Sequence, residues 1–319
     1  MPFLLLIVAA LLFPTVAQSQ DHGLKLAIGD VGVGIGDVRR LDGVRLNFRD
    51  RELERVRGVN ATIWTHDEGS RGEVQGLALG LPLGGAAEVR GIALGVGAAA
   101  DRNLSGICLG LIGSGAGEDL QGIAIGGVGV GAGDRVRGIV IGGVGAGSGS
   151  SLEGLIIGGI GAGTGGALRG IAIGGIGVGA GGSVTGLMVG GVGVGAGEDM
   201  TGIVIGGIGA GAGGSLTGIG IAGVGVGAPR VSGFVAALLA GGEHVTGLAI
   251  APLHFRIDKA GELHGVAVSA FNRVDGAQHG VTIGVLNVAT ELHGLQLGVL
   301  NIARNKQSLP ILPLINYSH

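Results

Sequence analysis

Four things are scarce in this chain. One cysteine, Cys108, rules out a disulfide scaffold. Seven prolines exclude a collagen-like Gly-X-Y chain, despite 76 glycines among 319 residues. Aromatics make up 3% of the chain, and beyond the N-terminal leader only Phe48, Trp64, Phe234, Phe255, Phe271 and Tyr317 remain, too few for the two aromatic girdles of a membrane barrel. Charged residues are 13%, with a net charge of −3, so no nucleic-acid footprint is present. The rest is apolar: 46% of the chain, mostly Ile, Val, Leu and Ala, a composition that argues against disorder.

Leu4 to Phe13 is an unbroken apolar run, followed by Pro14 and the small residues around Ala17 and Ser19. Residues 1–19 are expected to be a secretory signal cleaved after Ala17 or Ser19. The run is too short to span a bilayer as a helix. An exported chain is therefore expected, at the cell surface, in the outer membrane or in the periplasm.

Glycine recurs every 16 residues at Gly106, Gly122, Gly138, Gly154, Gly170, Gly186, Gly202 and Gly218, and at nearby spacings on either side from Gly43 to Gly294. Such a period outranks local propensity. In the type unit LQGIAIGGVGVGAGDR, Leu120 is position 1 and the anchor glycine, Gly122, is position 3. Positions 4 and 6 are branched aliphatics, positions 7 and 8 are mostly Gly-Gly, and polar residues close the unit. Alternation with β-branched residues reads as strand, and glycine at every second place argues against helix. Position 10 is glycine in the central units and Asn272, Asn287 or Asn301 late in the chain. Both residue types tolerate left-handed backbone, so position 10 is expected to be a corner, and the asparagines to stack as a ladder.

One such unit cannot bury enough apolar surface to stand alone, so stacking must stabilise it. The expected fold is all-β, a β-solenoid of roughly 16-residue coils; the alternative is a closed outer-membrane β-barrel. The expected organisation is one glycine-rich repeat domain over 20–303, with charged N-terminal units, and a C-terminal cap over 304–319. Pro310 and Pro313 in that cap suit the blocking of an exposed sheet edge.

Val281-Thr-Ile-Gly-Val-Leu-Asn287, Leu295-Gln-Leu-Gly-Val-Leu-Asn301 and the ending Leu312-Pro-Leu-Ile-Asn-Tyr317 resemble the bacterial surface-repeat-containing protein family. Gly43-Val-Arg-Leu-Asn-Phe48 and Val56-Arg-Gly-Val59 are similar to that family's first units. The resemblance covers both ends, and the middle loosely, with Gly-Gly and apolar residues where the family favours Gln and Asn. It implies export and surface exposure, and no known reaction.

If positions 4 and 6 point inward, position 5 points outward. Position 5 is polar toward the ends, at Arg45, Asn60, Thr282 and Gln296, and apolar in the middle. Val140, Ile156, Met188 and Val204 are thus expected to form an exposed apolar interaction face. That face would serve self-association, another envelope component or a lipid surface.

No catalytic, cofactor or metal residues are expected. His264, His279 and His293 share position 2 and could stack ~5 Å apart within reach of a metal, but a solvated row is the plainer reading. Thr185, Thr201, Thr217 and Thr246 share the same row, one per coil and broken by Ser232, which is thin for an ice-binding array. Gly126–Gly131 resembles the calcium nonapeptide but has glycine where its carboxylate belongs, as do Gly163 and Gly195. Cys108, at position 5, reads as a small hydrophobe. The expected function is that of a non-enzymatic exported repeat protein acting as a cell-surface or envelope interaction or structural module. The alternatives are an outer-membrane barrel or a carbohydrate-active β-helix enzyme.

Overall fold

The computed structural model describes residues 22–64 and 72–319. The expected signal segment, 1–19, lies outside the described residues. The described residues are all-β and form a β-solenoid of about 15 coils of roughly 16 residues. They fall into two compact units that meet in sequence between Gly149 and Ser150.

In the first unit a typical coil pairs a long strand, Leu120–Gly126, with a short one, Gly129–Ala132. Each lies parallel to its counterpart in the next coil. Leu120 pairs with Val136, Gly122 with Gly138, and Ala124 with Val140, while Val130 pairs with Ala146. The second unit repeats this register: Gly170 pairs with Gly186, Met188 with Val204, and Val178 with Val194. In these coils each residue therefore sits over its counterpart one period on. A barrel would need antiparallel neighbours throughout. Antiparallel ladders are found instead at the two chain ends, where His22–Ile28 pairs with Val31–Asp37 and Ile311–Ser318 lies along the last coil.

The inside–outside assignment is the reverse of the one expected from sequence. Val140, Ile156 and Met188 are fully buried and Val204 is 1% exposed, so they are core and not an interaction face. Positions 1, 5 and 11 fill the interior, as Leu168, Ala172 and Val178 do in one coil. Positions 4 and 6 point outward. The physical reason is room. Positions 1, 3, 5 and 7 share one side of the strand, and two of those four are glycine, so that side carries little enough bulk to close around. Two branched side chains at 4 and 6, together with position 9, would overfill the coil. Arg45, Asn60, Thr282 and Gln296, read as outward for the same reason, are also fully buried.

The interior is balanced coil by coil. Position 5 over position 11 reads Ala124 with Val130 and Val140 with Ala146 in the first unit. In the second it reads Ile156 with Ala162, Ala172 with Val178, and Val204 with Ala210. A large residue at one place is met by a small one at the other, as close packing requires. Met188 with Val194, both large, and Cys108 with Ser114, both small, depart from this.

The anchor glycine is the residue with left-handed backbone. Its φ is +124° at Gly122, +126° at Gly138 and +124° at Gly186. A side chain there is also excluded sterically: a methyl group on Gly122 would lie 2.0 Å from the carbonyl oxygen of Gly106, and one on Gly186 2.0 Å from that of Gly170. Position 10, expected to be the left-handed corner, is not: Gly129 would accept a methyl with its nearest contact at 3.6 Å. The late asparagines are also not at the glycine place. Asn272 pairs with Phe255, Phe255 with Ala240, and Ala240 with Val226, which is the interior position 11. Shorter late coils shift the register by one residue.

Candidate functional site

Two polar clusters replace apolar side chains in the core near the chain ends. In the first unit the Arg45 guanidinium donates to Asp50, to Asp37 Oδ1 at 2.8 Å and to Asn60 Oδ1 at 2.9 Å. Asn60 Nδ2 donates to Asp50 Oδ2 at 2.8 Å, and Asn47 Nδ2 to Asp50 Oδ1 at 2.8 Å. In the second unit Asn272 Nδ2 donates to Asn287 Oδ1, and Asn287 Nδ2 to Asn301 Oδ1, each at 2.7 Å. The asparagine ladder expected from sequence is therefore present, but inside the coil. Beside it, Gln296 Nε2 donates to Gln278 Oε1 at 3.3 Å. These groups are buried and bond mostly to one another, but Asp37 Oδ2, Arg45 Nε, Asn272 Oδ1 and Gln296 Oε1 are buried without a hydrogen-bond partner.

The histidine row is formed. His264 and His279 stack with ring centroids 4.8 Å apart, and His279 and His293 at 5.0 Å, each pair 9° from parallel. Rings stacked face to face aim their nitrogens outward in parallel, not at a common point. Glu262 Oε2 lies 3.0 Å from His264 Nε2, and that hydrogen bond holds the Glu262 carboxyl below its ordinary range. No group of three His, Cys, Asp or Glu side chains placed to hold a metal is found among the described residues. The threonine row is in register, Thr185 over Thr201 and Thr201 over Thr217, with Ser232 before Thr246. Cys108 is fully buried, and burial pushes its thiol pKa up.

The outer surface carries the feature that sequence reasoning misplaced. In the second unit Ile171, Ile173, Ile203, Ile205, Ile219 and Ile221, at positions 4 and 6, are each 37–41% exposed. Position 9 is more open still: Ile160, Ile176, Val192, Ile208 and Val224 are 44–54% exposed. The first unit has the same rows in Ile123, Ile125 and Val128. Parallel in-register pairing turns each position into a continuous aliphatic ridge. The sequence signal was the uniformity of positions 4, 6 and 9. Interior places vary in size to compensate one another, whereas these do not.

Charge is kept off this arc. Between Gly154 and Ile250 the charged residues are Arg169, Glu198, Asp199, Arg230 and Glu243, all at positions 15, 16 or 2. Several are joined coil to coil. In the first unit Arg135 Nη2 lies 2.8 Å from Asp119 Oδ2, and this bond lowers the Asp119 pKa. In the second, Ser215 N donates to Asp199 Oδ1 at 2.7 Å. Each coil is thus amphipathic around its perimeter.

Apolar grooves lie between the position-6 ridge and the corner beyond it. One of about 330 Å³ in the first unit is lined by Leu46, Ala61, Ile63, Leu79 and Leu81. One of about 380 Å³ in the second is lined by Ile250, Pro252, Val268, Ile283 and Val285. A larger groove of about 670 Å³ in the second unit is flanked by His254 and Arg256, but Arg256 is already paired with Asp258 at 3.0 Å.

Comparison of the chain with family models, curated proteins and solved structures gives no match.

Proposed function

We propose that this chain is a non-enzymatic, exported repeat module that works in the cell envelope or at the cell surface through its outer side chains. The observation that carries the reading is the apolar arc at positions 4, 6 and 9, from which charge is kept away between Gly154 and Ile250. Contiguous exposed apolar surface on this scale is rare on soluble monomers and marks an interaction site. The apolar leader over 1–19 and the resemblance of both ends to surface-repeat proteins support export.

The test is fractionation of Gram-negative cells expressing the full chain. The expected result is a processed chain, shortened by the leader, that sediments with the envelope. Substituting the outer ridge residues Ile171, Ile173, Ile203 and Ile205 by Gln is expected to release it to the soluble periplasmic fraction. A chain that stays unprocessed in the cytoplasm would sink the reading.

A further inference from the structure

We propose that Asn103 is the acceptor of an N-linked glycan. The inference rests on the envelope reading above, because only an exported chain meets the transferase, and it adds a modification which that reading does not contain.

The chain holds three Asn-X-Ser/Thr acceptor sequences in which X is not proline: Asn60-Ala-Thr62, Asn103-Leu-Ser105 and Asn316-Tyr-Ser318. All three lie in strands. Alternation along a strand puts the asparagine and the hydroxyl residue two places on at the same side. Which side that is decides whether a bulky, hydrated glycan can be carried.

Two of the three face inward. Asn60 is fully buried and Thr62 is 6% exposed. Asn60 Nδ2, the atom that would carry the sugar, donates to Asp50 Oδ2 at 2.8 Å inside the coil. Asn316 is 1% exposed, its Oδ1 accepts from Lys306 Nζ at 2.9 Å, and its Nδ2 is buried. A glycan on either would have to pass through the packed wall of its coil.

Asn103 has the opposite sense. Leu104 is position 1 of its coil and fully buried, so its neighbours Asn103 and Ser105 point outward. Ser105 is exposed and Asn103 half-buried. Asn103 stands at the corner that leads into the long strand, where Leu104 N donates to Asp119 O at 2.9 Å. The same edge is polar: Arg102 Nη2 lies 2.9 Å from Glu88 Oε1. Leu109 and Ile112, the exposed aliphatics at positions 6 and 9 of this coil, stand elsewhere on its perimeter, so a glycan at the corner leaves them uncovered. Sequence alone ranks Asn60 as the outward acceptor, because it holds position 5; the observed sense of the strands transfers that role to Asn103.

The co-substrate is a polyprenyl-pyrophosphate-linked oligosaccharide. Asn103 Nδ2 attacks C1 of its first sugar and gives up one proton. The Nδ2–C1 bond forms as the bond from C1 to the pyrophosphate oxygen breaks, and the polyprenyl pyrophosphate leaves with that electron pair. Ser105 supplies the hydroxyl that the acceptor sequence requires.

The experiment incubates the purified full chain with an oligosaccharyltransferase and the lipid-linked oligosaccharide, and reads the intact mass and the masses of its proteolytic fragments. A peptide of residues 100–108 is the control for transferase activity. One glycan, on Asn103, is expected. N103Q and S105A are expected to stay unmodified while keeping the far-UV circular dichroism of the parent. Three results would overturn the proposal. One is a folded chain left unmodified under conditions that modify the peptide. Another is a glycan on Asn60 or Asn316 of the folded chain, which would show that the side of the strand does not select. The third is S105A modified as the parent is. Each of these leaves the fractionation result standing, so the acceptor site falls and the envelope reading does not. A chain that stays unprocessed in the cytoplasm would instead sink the envelope reading, and with it the modification in the cell.

Discussion

Gly220 faces Val226 across the core of its coil. A methyl group on Gly220 would lie 3.1 Å from Val226 Cγ1 and 3.0 Å from Leu216 Cδ1. This one relationship places positions 1, 5 and 11 in mutual contact. Leu168, Ala172 and Val178 show that alanine fits between the same leucine and valine, so Gly220→Ala is expected to shift stability by less than about 1 kcal/mol. Val226→Ala alone should cost about 2 kcal/mol through lost burial. The double variant should cost less than the sum of the two, read by urea unfolding.

The glycines divide into two classes. Gly186→Ala puts a methyl 2.0 Å from Gly170 O at a φ of +124°. The expected loss is more than about 3 kcal/mol, or failure to fold. Gly179 has nothing within 4 Å of an added methyl, and Gly179→Ala should shift stability by no more than about 0.5 kcal/mol. Equal melting temperatures for the two variants would refute the division.

Arg45 is fully buried between Asp37 and Asp50. Arg45→Met would leave two carboxylates in the core without their cation, at a cost of about 3–5 kcal/mol. Adding Asp37→Asn and Asp50→Asn to Arg45→Met should recover much of the loss, read by urea unfolding. A triple variant no more stable than Arg45→Met would contradict this account.

Cys108 Sγ lies 3.3 Å from Ala98 O, and desolvation by burial disfavours its thiolate. The native chain is expected to resist an aqueous thiol reagent, and to react fully once unfolded in denaturant. Rapid labelling of the native chain would show that the interior is open.

Asp119 is held below its ordinary pKa chiefly by the hydrogen bond from Arg135. A carboxyl depressed in the folded state contributes stability above its unfolded value of 3.8, and loses it as pH falls through the folded value. The pair is more than a third exposed, so the contribution is only about 0.2–1 kcal/mol. Asp119→Asn should lower stability slightly at neutral pH and converge with the parent as pH falls below 3.8 and through the folded value. A constant offset across that range would place the effect elsewhere.

The sequence by itself determined the period and the strand type, and favoured parallel stacking of like on like over a closed barrel, which the in-register pairing then settled. These follow from local pattern, because a 16-residue repeat with two-residue alternation leaves few other ways to pair. It also placed the histidine row and the asparagine ladder, since in-register stacking aligns equal positions. Which side of each strand faces inward was decided by tertiary structure. Alternation of period two is symmetric under exchange of its sides, and hydrophobicity did not break the symmetry here, because both sides are apolar. Closure broke it. Only the side that carries the glycines, and whose remaining residues trade volume across the core, fits inside so narrow a coil, and the bulkier isoleucines were left to face outward.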